Sequence, residues 1–230
     1  MIANRKDHCS ARMLAIVLGL SCAGSAPAAA DFIDLRRMQA VHGDANAGKA
    51  KAAACMGCHG AVGIAPVPMF PNLAGQRAEY LYWQLVEFKR EARTESPMTA
   101  QVAALDDTAM RDLAVYFSSL PDADASAEAA PTSRGALLYR EGDPASGAPP
   151  CQGCHGAQAD GHPLAQDDVR YRGYPVLRGQ HAAYLGARLK DFRDGKHTLS
   201  SNDRIMTSVA HTLDNDSIQA LTTWIESGAR

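Results

Sequence analysis

After its first 30 residues the chain offers no cysteine outside two short boxes, no apolar run long enough to cross a bilayer, and no sustained alternation of apolar and polar residues. Each absence narrows the possibilities. A spanning helix needs about 20 apolar residues, so the mature portion is expected to have no transmembrane segment. The missing alternation speaks against a sheet-based fold and for helices. With no spare cysteine, there is none left for a structural disulfide. A strong positive charge is missing too: beyond residue 30 there are 20 Lys+Arg against 24 Asp+Glu, a net of −4. That excludes a nucleic-acid binder working through a basic surface and mildly favours partners with positive docking patches.

Residues 1–30 read as an export signal. MIANRKDHCSAR carries Arg5, Lys6 and Arg12, the apolar MLAIVLGLSCAG follows, and SAPAAA ends in small residues, with cleavage expected after Ala30. The apolar core, at about a dozen residues, is too short for an anchor. Cys22 raises the alternative of lipid attachment, which Gly19, Leu20 and Ser21 fit poorly. The mature product is expected to be soluble and exported.

Export sharpens the meaning of the cysteines. Of six, Cys9 and Cys22 leave with the signal, and the other four belong to CMGCHGA at 55–61 and CQGCHGA at 151–157. Four free thiols do not stay reduced in an oxidising compartment, so a covalent use is expected. Structural zinc is opposed by the 96 positions between the pairs and by thiol oxidation. A thioredoxin-like dithiol would need a βαβ setting that neither box has. The third reading is attachment of a c-type haem, with Cys55, Cys58, Cys151 and Cys154 as thioethers and His59 and His155 as proximal iron ligands.

The internal repeat then points to the second axial ligands. PNLAGQRAEYL at 71–81 matches PVLRGQHAAYL at 175–185 in seven of eleven places. The offset between halves grows from 96 at the boxes to 104 here and 108 beyond, where Met98 falls on Met206 and Asp106 on Asp214. Met206 is the only methionine after His155, so the repeat selects Met98 over Met56, Met69 and Met110 in the first half, with Met69 a minor rival. A methionine before a helix is more commonly a core filler, and coincident placement in both repeats argues against that here. His162, His181, His197 and His211 have no histidine counterpart in the first half and read as surface or haem-propionate neighbours.

The coarse structure is two small helical units. DANAGKAKAAAC (44–55) predicts a helix running into the first box, and AEYLYWQLVEFKRE (78–91) places Leu81, Leu85 and Phe88 on one face. Asp106 and Asp214 are expected to cap the last helix of each half. PDADASAEAAPTS (121–133) reads as a linker. The expected organisation is a signal peptide at 1–30, an N-terminal domain at 40–121, a linker at 122–133 and a C-terminal domain at 134–230. Each half is small for an unaided core, so a large apolar cofactor is expected to supply much of the buried surface.

Together GDANAGKAKAAACMGCHGA, PNLAGQ, the later methionine and LDDTAMRDLAVYFSSL resemble a class I cytochrome c, and two such units behind an export signal resemble the periplasmic dihaem cytochrome c4 family. The resemblance covers roughly 42–227. It implies an all-α fold of two tandem haem domains, two covalently bound haem c groups, and Pro71 and Pro175 as acceptors for the imidazole N–H of the haem histidines. It further implies a periplasmic electron carrier, not an enzyme, working between a respiratory donor (a bc1-type complex or dehydrogenase) and a terminal oxidase or reductase. Its partners would be redox proteins of membrane respiratory complexes, reached by peripheral association. Two alternatives are a cytochrome subunit of a larger dehydrogenase and a dihaem peroxidase. The second half departs from the pattern by eight extra residues between His155 and Pro175 and four before Met206, both expected as surface loops.

Overall fold

The computed structural model describes residues 32–90, 96–123 and 132–228; the predicted export signal and residues 124–131 of the predicted linker lie outside the described residues. Among the described residues the fold is helical, with only two isolated β-bridges.

In the first half α1 (Ala45–Lys51) starts at Asp44, whose carboxylate accepts from the N–H groups of Asn46 and Ala47. The single helix expected over 44–55 is divided at Ala52. Its N–H is shared between the carbonyls of Gly48 and Lys49, and its own carbonyl takes the N–H of Cys55 in a tight three-residue step. Beyond that step α2 (Ala53–His59) carries the first box. α3 (Ala78–Lys89) buries Leu81 and Phe88, with Leu85 partly buried against the same core. A short α4 (Met98–Val102) leads to α5 (Asp107–Ser118), capped by Asp106 through the N–H of Ala109.

The second half repeats the plan. α6 (Arg134–Glu141) corresponds to α1 and α7 (Gln152–His155) carries the second box. α8 (Ala182–Arg193) stands 104 positions after α3, and α10 (Asn215–Glu226), capped by Asp214, stands 108 after α5. α1 packs on α5 and α6 on α10, so each half closes its first helix against its last.

Neither insertion is irregular loop throughout, although the longer one keeps Pro163, Leu164, Gln166 and Asp167 exposed. The four residues before Met206 lengthen the helix α9 (Ser201–Ala210), which begins five residues before that methionine, whereas Met98 is the first residue of α4. Ser200 and Asp203 form a reciprocal capping box, and Leu199, Ser200 and Asp203 are buried. The longer insertion folds into two 3₁₀ turns, Pro163–Ala165 and Val169–Gly173, the second against α3, where Arg172 meets the Glu79 carboxylate at 3.4 Å. Burial of Leu199 in a core that contains α3 and α5 explains the difference: this segment seals the two halves together.

A strap ahead of the expected first domain pairs with this same segment. Ile33 N–H donates to Leu199 O at 2.8 Å, Ser201 N–H returns to Ile33 O at 2.9 Å, and Leu35 N–H meets Ser201 Oγ at 3.1 Å. Ile33, Leu35 and Met38 are buried by this crossing.

Candidate functional site

α2 and α7 present their boxes alike. Cys55 and Cys151 are partly buried, Cys58 and Cys154 exposed, and the histidines that follow are buried, His59 at 5% and His155 at 6% exposure. Each helix stops at once on a glycine with positive φ, Gly60 at +79° and Gly156 at +82°. A Cβ at Gly60 would fall 1.8 Å from the Ile64 carbonyl oxygen, so the glycine after the box is dictated by the turn.

The rings are held from behind. His59 Nδ1 donates to Pro71 O at 2.9 Å and His155 Nδ1 to Pro175 O at 3.1 Å. Phe70 and Tyr174, the residues before those prolines, meet the rings edge-on with centroids at 6.3 and 6.5 Å. With Nδ1 protonated, each Nε2 keeps a lone pair. Burial holds both imidazoles below the ordinary histidine range, against the weaker upward pull of the proline bonds. Both are therefore neutral at pH 7, the form that ligates a metal.

Those histidines face one continuous cavity of about 970 Å³, to which Cys55, His59 and Met98 contribute from one half and Cys151, His155 and Met206 from the other. Met98 and Met206 are both partly buried. Met69 also reaches the cavity but is 60% exposed, whereas Met110 lies in the core and Met56 packs against it. The structure thus brings together the methionines that the repeat selects.

The polar atoms of this cavity fit a haem. His155 Nε2 is buried without a hydrogen-bond partner, an electron pair aimed at nothing in the protein. Trp83 Nε1 and Arg188 Nε, also lining it, are buried donors without acceptors. Such orphans cost free energy unless a guest satisfies them. A group with a metal at its centre and carboxylates at its edge supplies both kinds of partner. The surroundings of Cys55, Cys151 and Cys154 are not those of a redox pair: burial pushes Cys151 up to about 11 and raises Cys55 and Cys154 as well, opposite to the depressed thiol of a reactive dithiol. Nor do they gather as zinc ligands. Among the described residues the cluster with metal-ligand spacing is Glu87, His197 and Asp203, all buried, and it contains no cysteine.

Between the two histidine supports runs a contact with approximate two-fold symmetry. Gln76 Oε1 accepts from Val176 N–H at 2.9 Å and its Nε2 donates to Val176 O at 2.8 Å. Gln180, its repeat partner, accepts from Asn72 N–H at 2.9 Å and donates to Asn72 O at 2.9 Å. Asn72 and Val176 are themselves repeat partners. Sequence reasoning found these glutamines as part of the repeat and missed their contact, as it missed Phe70, Tyr174, Trp83 and Arg188.

The profile of the cytochrome c family matches the chain twice, over residues 45–121 and 133–229. Cytochrome c4 of Pseudomonas aeruginosa is 40% identical over 184 residues, covering 80% of this chain and 88% of that protein. The chain belongs to the cytochrome c4 family. The crystal structure of reduced recombinant cytochrome c4 from Pseudomonas stutzeri superposes with a TM-score of 0.70 at 39% identity, over 81% of this chain and 100% of that one. The thiosulfate dehydrogenase electron acceptor of Thiomonas intermedia is 33% identical over 181 residues, 76% of this chain and 78% of that protein. As a cytochrome c4 with one CxxCH box per unit, the protein carries two covalent haem c groups and is an electron-transfer protein, not an enzyme. The dihaem-peroxidase alternative falls with that membership.

Proposed function

We propose that this cytochrome is an exported, periplasmic carrier that takes electrons one at a time from a membrane respiratory donor, a bc1-type complex or a dehydrogenase, and passes them to a terminal oxidase or reductase. Cys55 and Cys58 hold one haem and Cys151 and Cys154 the other, with His59 and Met98, and His155 and Met206, as axial pairs. Haem c held in this way supplies one-electron exchange between ferric and ferrous iron at a raised potential. The protein's own groups do the rest. Pro71 and Pro175 fix the imidazoles in one tautomer and one orientation. The apolar lining, including Leu81, Phe88, Leu185 and Ile225, excludes water from the sites. The observation that carries the reading is the buried, partnerless lone pair of His155 in the cavity that Met206 also lines.

Replacing Met98 or Met206 by leucine tests it. Each substitution is expected to remove about half of the near-infrared thioether-to-iron band and to lower one midpoint potential, because the thioether favours ferrous iron. An unchanged band and unchanged midpoints in both variants would overturn the axial assignment. Among the described residues no helix is long and apolar enough to cross a membrane, so contact with a membrane donor would be peripheral.

A second reading is favoured by the relationship to a thiosulfate dehydrogenase electron acceptor. In it the donor is a sulfur-compound dehydrogenase, bound stably or in passing. Purification of the native protein as a stable heteromer with a dehydrogenase supports this reading; a lone chain reduced by the membrane donor supports the first.

A further inference from the structure

The symmetric contact between the halves reaches the irons' ligands through a single peptide group on each side. The peptide unit joining Pro71 to Asn72 offers its oxygen to His59 Nδ1–H, and its N–H donates to Gln180 Oε1. The unit joining Pro175 to Val176 offers its oxygen to His155 and its N–H donates to Gln76 Oε1. Each haem histidine is thus one peptide away from a glutamine of the opposite half.

We propose that Gln76 and Gln180 are crossed positioning residues, each setting from one half the electron-donating strength of the haem-ligating histidine in the other. This rests on His59 and His155 being the proximal ligands.

The physical step is hydrogen-bond cooperativity. Nitrogen and oxygen of an amide share one π system, so donation of the N–H to a good acceptor makes the carbonyl oxygen more negative. Chained bonds of this kind strengthen one another by about 10–30%. A stronger Pro71 acceptor draws the Nδ1 proton of His59 and gives the imidazole more imidazolate character. The ring then becomes a better donor to iron. Ferric iron gains more from that donation than ferrous iron, so the glutamine of the far half lowers the potential of the near iron.

The orientation of each glutamine amide follows from its neighbours. Gln76 Oε1 also accepts the Arg77 N–H at 3.0 Å, and Gln180 Oε1 the His181 N–H at 3.1 Å. A flipped amide would set its NH₂ against two N–H donors, so the carbonyl oxygen is fixed toward the proline peptide. Both glutamines are only 6% exposed, and water does not compete for their bonds. The arrangement also makes docking of the halves an electronic event: separation of the interface takes both acceptors away at once.

The test is a redox titration of the full dihaem protein, followed by NMR so that each centre is read separately, in Gln180→Met and Gln76→Met. Q180M is expected to raise the midpoint of the His59 centre more than that of the His155 centre, and Q76M to do the reverse. The size expected is about twofold in the electron-sharing equilibrium, roughly 20 mV at 59 mV per tenfold for one electron. The Nδ1 proton of the affected histidine should move upfield in the reduced state. Where a methionine variant fails to assemble, Gln180→Glu and Gln76→Glu keep an acceptor oxygen and add charge, and should move the same, opposite centre downward. Midpoints that shift in the substituted half, shift equally in both, or stay fixed would each overturn the proposal. Loss of histidine ligation in the unsubstituted protein's spectra would instead overturn the axial assignment beneath it.

Discussion

Gly48 of α1 lies so close to Asp112 of α5 that a Cβ at Gly48 would stand 2.1 Å from the Asp112 carbonyl oxygen. Gly135 of α6 has the same relation to the Ala220 carbonyl of α10, also at 2.1 Å. In each half a glycine lets the first helix rest directly on the backbone of the last.

Gly48→Ala and Gly135→Ala should therefore destabilise the protein although alanine is the better helix former. The propensity gain is about 1 kcal/mol, and the contact is with rigid backbone, so the helices must part. A net loss of about 2 kcal/mol or more is expected, read as a lowered midpoint in guanidinium denaturation. Unchanged midpoints would show that the helix pair tolerates separation.

Asp112 supplies a pH test. Its carboxylate accepts from Asp44 N–H at 2.8 Å and Lys51 Nζ at 3.0 Å, and these bonds, the backbone one first, hold it below the ordinary aspartate value of 3.8. A depressed carboxylate adds stability above its unfolded value and loses it as pH falls through the folded one. Asp112→Asn should thus be less stable than the parent at pH 7, the gap closing below about pH 4. Thermal midpoints of both proteins from pH 7 to pH 2.5 check this, and a gap independent of pH would contradict it. Ala220 stands in the matching place of the second half, so this particular carboxylate contact has no counterpart there.

Leu35 tests the strap. It is buried in the core of the first half and belongs to the segment bonded to Ser201. Leu35→Ala should cost about 2–4 kcal/mol and, because α9 begins at Ser201, should quicken displacement of Met206 by an added ligand such as imidazole. Equal displacement rates in variant and parent would limit the strap to packing.

Removing the haems should unfold both halves. Each core surrounds the shared cavity, and units of this size bury too little surface unaided. After cleavage of the thioethers the far-ultraviolet circular dichroism should lose most of its helical signal. Native helicity in the haem-free chain would show cores that stand alone.

How much of this could be read beforehand depended on range. Asp106 and Asp214 cap helices through residues three positions away, a local relation that a sequence displays directly. Met98 and Met206 are distant from their histidines, yet the repeat aligns them. The repeat also displays Gln76 and Gln180, but a contact spanning about a hundred positions has no local mark, so their role was hidden. Residues 32–38 follow no helical or strand period, since they are held by another segment rather than by their own pattern. The extension of α9 did carry a signal: Ser200 followed three residues later by Asp203 is a capping pattern. The division at Ala52 carried none, because alanine favours α-helix throughout that stretch.

Ile33 pairs with Leu199 and Ser201 across some 166 positions. A ribosome makes the strap well before its partners, so the strap stays without its mate until most of the second half exists. Closure of this clasp is a late step in maturation, and a polypeptide cut short before Leu199 would leave the Ile33 N–H and carbonyl without these partners.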